Sequence, residues 1–172
     1  MATTDLTFAR LRELLIYEPE TGLFRWKIRR ANRYKPGDIA GGISSKGYAT
    51  ILVDNTKQRA NRLAWFYMTG EWPALIVDHI NRVRSDNRWS NLRLATNGEN
   101  QQNSDGPRAG NESGHRGVTR NYKGWKAGIT CQGVYFYLGT FPTPELAHMA
   151  YLSARERLHH FRPNADATQD SR

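Results

Sequence analysis

Apolar residues recur in two rhythms along this chain, and the switches between them mark its elements. Phe8, Leu11 and Leu15 recur at i, i+3 and i+7, which predicts a short amphipathic helix over residues 5–16. Pro19-Glu20-Thr21-Gly22 reads as a turn, and Leu23 to Ile28 alternates as a strand. A basic loop from Arg29 to Lys35 and the glycines at 37, 41 and 42 lead into a second strand, Tyr48 to Val53. Asn61 to Tyr67 has helical spacing, with Gly70 as its stop. Leu75-Ile76-Val77 predicts a short buried strand ending at Asp78-His79. Leu92-Arg93-Leu94 predicts another, and Asn97 to Asn103 a helix.

Residues 104–113 contain no large apolar side chain and are rich in turn formers, so they read as a linker. Beyond them the rhythm is again that of strands, over His115 to Thr119, Gly124 to Thr130 and Val134 to Leu138, with Gln132-Gly133 as a tight turn. Thr143-Pro144 then opens a helix as N-cap and first residue, with Ala147, Tyr151, Ala154 and Leu158 as its apolar stripe. The expected class is α+β. The expected organisation is an N-terminal α+β region over 1–103, a linker over 104–113, a three-stranded antiparallel sheet packed on one helix over 114–162, and a flexible tail over 163–172.

Charge changes the picture. Lys and Arg number 25 against 16 Asp and Glu, for a formal net charge of +9. The surplus divides as about +6 before residue 104 and +3 after it. Such an excess points to a polyanionic partner, because phosphate neutralisation supplies most of non-specific nucleic-acid affinity. A membrane partner is not expected, since no apolar run approaches the ~20 residues a span requires. The first residues lack a charged and apolar leader, so a cytoplasmic location is expected. Cys131 is the only cysteine, which excludes an internal disulfide and any cysteine-rich zinc cluster.

The candidate chemistry lies around Asp78-His79. A carboxylate with an asparagine amide oxygen can hold a hard divalent cation, and the neighbouring imidazole can deprotonate a water. Asparagines return at 91, 100 and 103. Asn91 and Asn100 also read as loop and cap residues. Arg82, Arg84, Arg88 and Arg93 lie in or beside the loop, and read either as a solvated rim or as phosphate contacts. Trp89 reads as loop core.

Val77-Asp78-His79-Ile80-Asn81, Asn91-Leu92-Arg93 and Glu99 to Asn103 together resemble the HNH endonucleases, with their ββα-metal (His-Me finger) fold. The likeness is tight over 75–103 and greatest to the homing endonucleases of bacteriophages and their group I introns. It implies that His79 is the general base and Asp78 a metal ligand. It further implies that Asn91 fixes the loop and helps orient the histidine, and that Asn100 is the second metal ligand, with Asn103 as the weaker rival. The implied cofactor is magnesium, with manganese as the alternative and without structural zinc.

From Ser113 to Pro144 the chain carries Arg116, Arg120, Lys123 and Lys126 and no acidic residue. Arg116-Gly117-Val118, Trp125 to Ile129, Tyr137 to Phe141 and the later Glu145-Leu146-Ala147 resemble the Apetala/ethylene-response-factor (AP2/ERF) DNA-binding domain. This implies a DNA-reading sheet face carrying Arg116, Lys126, Thr130, Tyr135 and Tyr137, with Arg120 as a further DNA-binding residue. Trp125, Ala127, Ile129 and Phe136 are expected to turn inward. The expectation for the whole is a metal-dependent, site-specific DNA endonuclease of homing type, monomeric or dimeric, acting on double-stranded DNA in the host cell of a phage or mobile element. The competing expectation is a non-catalytic DNA-binding regulator with a degenerate nuclease motif.

Overall fold

The structure, a computed structural model, describes residues 6–30, 33–103, 106–107 and 109–159. The expected tail lies outside these, as do Ser104, Asp105 and Arg108 of the expected linker. The chain forms two compact units, Met1–Asn97 and Gly98–Arg172. The division precedes the 104–113 segment, so the residues after Asn97 count with the second unit. All the sheets described are antiparallel, which with the helices makes a mixed α+β protein. No helix among the described residues is long and apolar enough to cross a membrane.

The first unit begins with α1 (Phe8–Leu14), capped by Thr7, whose hydroxyl accepts the Arg10 N–H at 3.2 Å. The helix is shorter than its spacing predicts. Leu15 belongs instead to β1 (Leu15–Glu18), which pairs with β2 (Leu23–Trp26). Ile16 and Tyr17, β-branched and aromatic, favour extended backbone, and Pro19 bars helical continuation. From Leu15 onward burial alternates with the strand period, Leu15 and Tyr17 inward and Ile16 outward.

A second sheet comprises β3 (Gly42–Ile43), β4 (Ala49–Val53) and β5 (Thr56–Arg59). Thr56-Lys57-Gln58-Arg59 has no apolar alternation, which is why the sequence hides β5. Its pairing is set by the Asp54-Asn55 turn, where both residues have positive φ (43° and 66°), the backbone that closes two-residue hairpins. Helix α2 (Ala60–Thr69) follows directly and stops at Gly70 in the left-handed conformation. Leu63, Ala64 and Phe66 of α2 join Leu11, Leu14, Trp26, Ile51, Val53, Val77 and Leu92 in one core. Against this core lies a two-stranded ribbon of β6 (Ile76–His79) and β7 (Leu92–Ala95).

The second unit opens with helix α3 (Asn97–Asn103), of which Asn97 still counts with the first. Its sheet has the order β10-β9-β8, from β8 (Val118–Asn121), β9 (Gly124–Cys131) and β10 (Val134–Phe141). Helix α4 (Pro144–Leu158) has Thr143 as N-cap, its hydroxyl accepting the Leu146 N–H. Val118, Ala127 and Ala147 form one small cluster, and Ile129, Tyr151 and Ala154 another. Gly117, with φ 76°, lets Tyr151 press flat on the backbone, where any Cβ would strike the ring.

Two expectations need correction here. The first strand starts at Val118, so Arg116 sits in the turn before it, outside the sheet face. Phe136 shares the helix-side face by its pairing with Ile129, yet stays 40% exposed. The bulge between Tyr137 and Gly139 shifts the register, and Leu138 is the β10 residue that packs against both clusters.

Candidate active site

The β6–β7 ribbon and its loop carry the candidate chemistry. Asn61 of α2 donates its side-chain N–H to the Val77 carbonyl at 2.8 Å, tying β6 to the core. The loop then closes on itself. Ile80 N–H donates to the Asn91 carbonyl at 2.9 Å and Arg82 N–H, at a residue with φ 66°, to the His79 carbonyl at 3.0 Å. The buried Asn91 amide works both ways: its oxygen accepts the Asn81 N–H at 2.9 Å and its nitrogen donates to the Asp86 carbonyl at 2.7 Å.

A buttress from the β1–β2 hairpin holds the same loop. The Tyr17 hydroxyl donates to the Asn87 carbonyl at 2.6 Å, inside the protein, and burial raises its pKa far enough to keep it a donor. Gly22, φ 73°, lies flat against the Asn87–Arg88 peptide, leaving no room for a Cβ. Trp89 N–H donates to the Pro19 carbonyl at 2.9 Å, and the Trp89 ring packs 5.0 Å from that of Trp65. Trp89 is loop core, as its sequence context implies.

Asn87 gives the loop its chemical point. Its amide nitrogen donates to the Ser85 carbonyl at 3.1 Å, which turns its oxygen toward His79 Nε2 at 3.1 Å. With that oxygen as acceptor, Nε2 carries the ring hydrogen and the lone pair of the neutral imidazole sits on Nδ1. His79 is only 4% exposed. Burial pushes its pKa below the ordinary 6.5, while the Asn87 bond and the Asp78 carboxylate pull it back only in part. The imidazole is therefore neutral at physiological pH and held in one tautomer, the state a general base needs.

Sequence reasoning missed Asn87. It lies in an irregular stretch where spacing predicts no shared face, and nothing marks it apart from the other loop asparagines. Its capture of His79 depends on Tyr17 and Gly22, far upstream in the chain.

Asp78 precedes His79 on the strand, and alternation sends the two side chains to opposite faces of the ribbon. Directly across in register stands Arg93, whose Nε and Nη2 both donate to Asp78 Oδ2 at 3.2 Å. The four loop arginines thus differ. Arg93 grips Asp78, and Arg88 grips Asp86 at 2.6 Å, the contact that chiefly lowers the Asp86 pKa. Arg84 donates to the Lys46 carbonyl at 3.0 Å, and Arg82 occupies the strained turn.

Asn100 and Asn103 lie on α3, in the second unit. Asn100 is half-buried and Asn103 buried. The end of α3 is tied down within that unit: Arg116 donates to the Gln101 carbonyl at 2.6 Å and Arg155 to that of Gln102 at 3.3 Å. Asp78 offers a carboxylate and Asn100 an amide oxygen, donor types that suit a hard divalent cation. No group of three or more His, Cys, Asp or Glu occurs among the described residues that could make an all-protein cage.

On the second unit, register places Lys126, Thr130, Tyr135 and Tyr137 on the face of the sheet away from α4, while Arg120 pairs with Trp125 and stands 4.8 Å over its ring. Tyr135 lies across Gly128, where a Cβ would strike its hydroxyl, and Lys126 Nζ stands 5.2 Å over the Tyr135 ring. The Tyr137 hydroxyl meets Thr140 Oγ1 at 2.9 Å.

Residues 58–102 match the HNH endonuclease family, a match that takes in Asp78, His79, Asn91 and Asn100. It supports an HNH nuclease acting on DNA, and such nucleases generally use a divalent metal. Neither a curated protein nor a solved structure matches the chain.

Proposed function

We propose that this chain is a metal-dependent, site-specific DNA endonuclease of the HNH homing type, with a ββα-metal module over 75–103 and an Apetala-like DNA-reading module over 114–162. The observation that carries the reading is the buried imidazole of His79, kept neutral and held by Asn87, next along the strand to Asp78, within the segment that matches HNH endonucleases.

In this reading His79 Nδ1 takes the proton of the attacking water, and Asn87 keeps the ring aimed as it becomes charged. Asn91 maintains the loop that presents both groups, through its bonds to Asn81 and Asp86. Asp78 and Asn100 would hold the divalent cation, magnesium or manganese. The chemistry supplied by that cation when bound is charge neutralisation at the leaving oxygen and a non-bridging oxygen. Arg93 shares the Asp78 carboxylate and orients it. Lys126, Thr130, Tyr135 and Tyr137 offer a mixed cationic and aromatic sheet face to double-stranded DNA, with Arg82, Arg84 and Arg88 on the catalytic loop, Arg116 in the turn before the sheet, and Arg120 on β8 beside Trp125 as a further contact. The protein would act in the cytoplasm of the host of a phage or mobile element, as a monomer or a dimer.

Incubation of the full chain with supercoiled plasmid, with and without magnesium, tests this. Nicked or linear product that needs the metal and disappears in His79→Ala is the expected result. Intact plasmid together with tight DNA binding would instead make the protein a DNA-binding regulator whose nuclease motif is structural.

A further inference from the structure

Close to His79, two arginines share one aromatic ring. Tyr48 leads into β4, Arg59 ends β5, and Arg84 comes from the β6–β7 loop. The Arg59 guanidinium carbon stands 4.3 Å from the centre of the Tyr48 ring and that of Arg84 stands 5.1 Å from it. The His79 ring is 6.1 Å from the same tyrosine. Arg84 is further tethered by its bond to the Lys46 carbonyl, within a turn closed by Ser44 bonding to Gly47 and Tyr48.

Neither Arg59 nor Arg84 has a carboxylate partner among the described residues, in contrast to Arg10, Arg25, Arg88 and Arg93. Holding two cations near one ring costs free energy through their mutual repulsion. Attraction to the ring face opposes this. An arrangement of that kind is complete once an anion joins it. The anion that belongs beside a nuclease base is the phosphate backbone of its substrate, and two separate guanidiniums suit the successive phosphates of one strand.

We infer that Arg59 and Arg84, held over Tyr48, form a clamp that seats the phosphate backbone of DNA against His79, with Tyr48 as the positioning residue. The inference rests on the nuclease reading for what lies beside His79, but the clamp itself is tested by binding. Two of its three members lie outside the Asp-His-Asn constellation, in the sheet that precedes it, so the clamp extends the site beyond the motif.

Binding of a short duplex is measured as a function of salt, in full-length chains carrying His79→Ala so that the substrate survives. Arg59→Ala and Arg84→Ala should each flatten the log–log salt slope by about 1, and the double variant by about 2. Tyr48→Phe keeps the ring and should keep the parental slope, whereas Tyr48→Leu should lose affinity although it removes no charge. Arg62→Ala, whose guanidinium stands over Trp72 instead, should change little and serves as the control. With His79 restored, the clamp variants should show raised KM for plasmid together with reduced kcat. Slopes unchanged by Arg59→Ala and Arg84→Ala, or equal effects from Tyr48→Phe and Tyr48→Leu, would overturn the clamp. If the parent never cuts DNA, the nuclease reading fails, while the salt slopes still decide whether these residues grip phosphate.

Discussion

The two units commit their polar residues in opposite ways. In the first, the groups closest to the candidate chemistry are buried: His79, Asp78, Asn87 and Asn91 are each in contact with a named partner inside the protein. In the second, Tyr135 and Tyr137 are both more than half exposed, on strands that pack over two small clusters. A group that must transfer a proton gains from a fixed tautomer and a shifted pKa, both of which need burial. A surface that must meet a long polyanion gains from exposed cations and rings. The first unit is built as geometry, the second as contact area.

The sharpest break in that contrast comes from removing the base. His79→Ala should cost about 10²–10⁴-fold in nicking rate while leaving duplex affinity within a few-fold of the parent. Plasmid nicking and a mobility-shift titration read the two quantities separately. Full activity in the variant would move the base elsewhere.

Next in size is loss of the cation. Excess chelator should stop cleavage, and Asp78→Ala or Asn100→Ala should each raise the magnesium concentration needed for half-maximal rate. Cutting that persists in chelator would end the metal mechanism.

A smaller effect tests whether the loop acts as geometry alone. Asn87→Ala leaves the imidazole in place but releases its orientation, for a loss of up to about 10²-fold. The parental pH–rate profile should have its acid limb below 6.5, because burial lowers the His79 pKa. Since the Asn87 bond raises that pKa, the variant's limb should move lower still, which a merely unfolded site would not do. The same shift carries a stability consequence. As pH falls through 6.5 the unfolded chain takes up a proton that the buried ring resists, so thermal stability should decline from there downward.

On the second unit the expected changes are gradual. Lys126→Ala should flatten the salt dependence of binding by about 1 in slope. Replacing Tyr135 and Tyr137 together should weaken preference for the favoured site more than general affinity. A sheet face that proved indifferent to both would leave recognition to the first unit.

What could be read in the sequence follows the same division. Helix α4 was legible down to its cap, because Thr143-Pro144 and the Ala147–Tyr151–Ala154 stripe are local signals. The Gln132-Gly133 turn was equally plain, since both residues take the positive φ that such hairpins demand. Leu15 was misread because three apolar positions at helical spacing cannot register that Pro19 and a partner strand will claim the third. β5 was invisible because its pairing comes from a turn and leaves no apolar alternation. In the site, Asp78 and His79 stand out as residue types, whereas Asn87 and the Tyr48–Arg59–Arg84 group become visible only when distant segments meet.

Gly22 and Tyr17 have a practical consequence for anyone who would transplant the catalytic segment. A graft of residues 58–102 onto a new scaffold would carry Asp78, His79, Asn87 and Asn91, yet leave behind the flat glycine and the phenol that fix the Asn87–Arg88 peptide. The loop would then sample other paths, and the imidazole would lose its single tautomer. The unit of inheritance for this chemistry is therefore larger than the stretch that bears its signature, and recombination between Gly22 and residue 58 should separate an intact motif from its function.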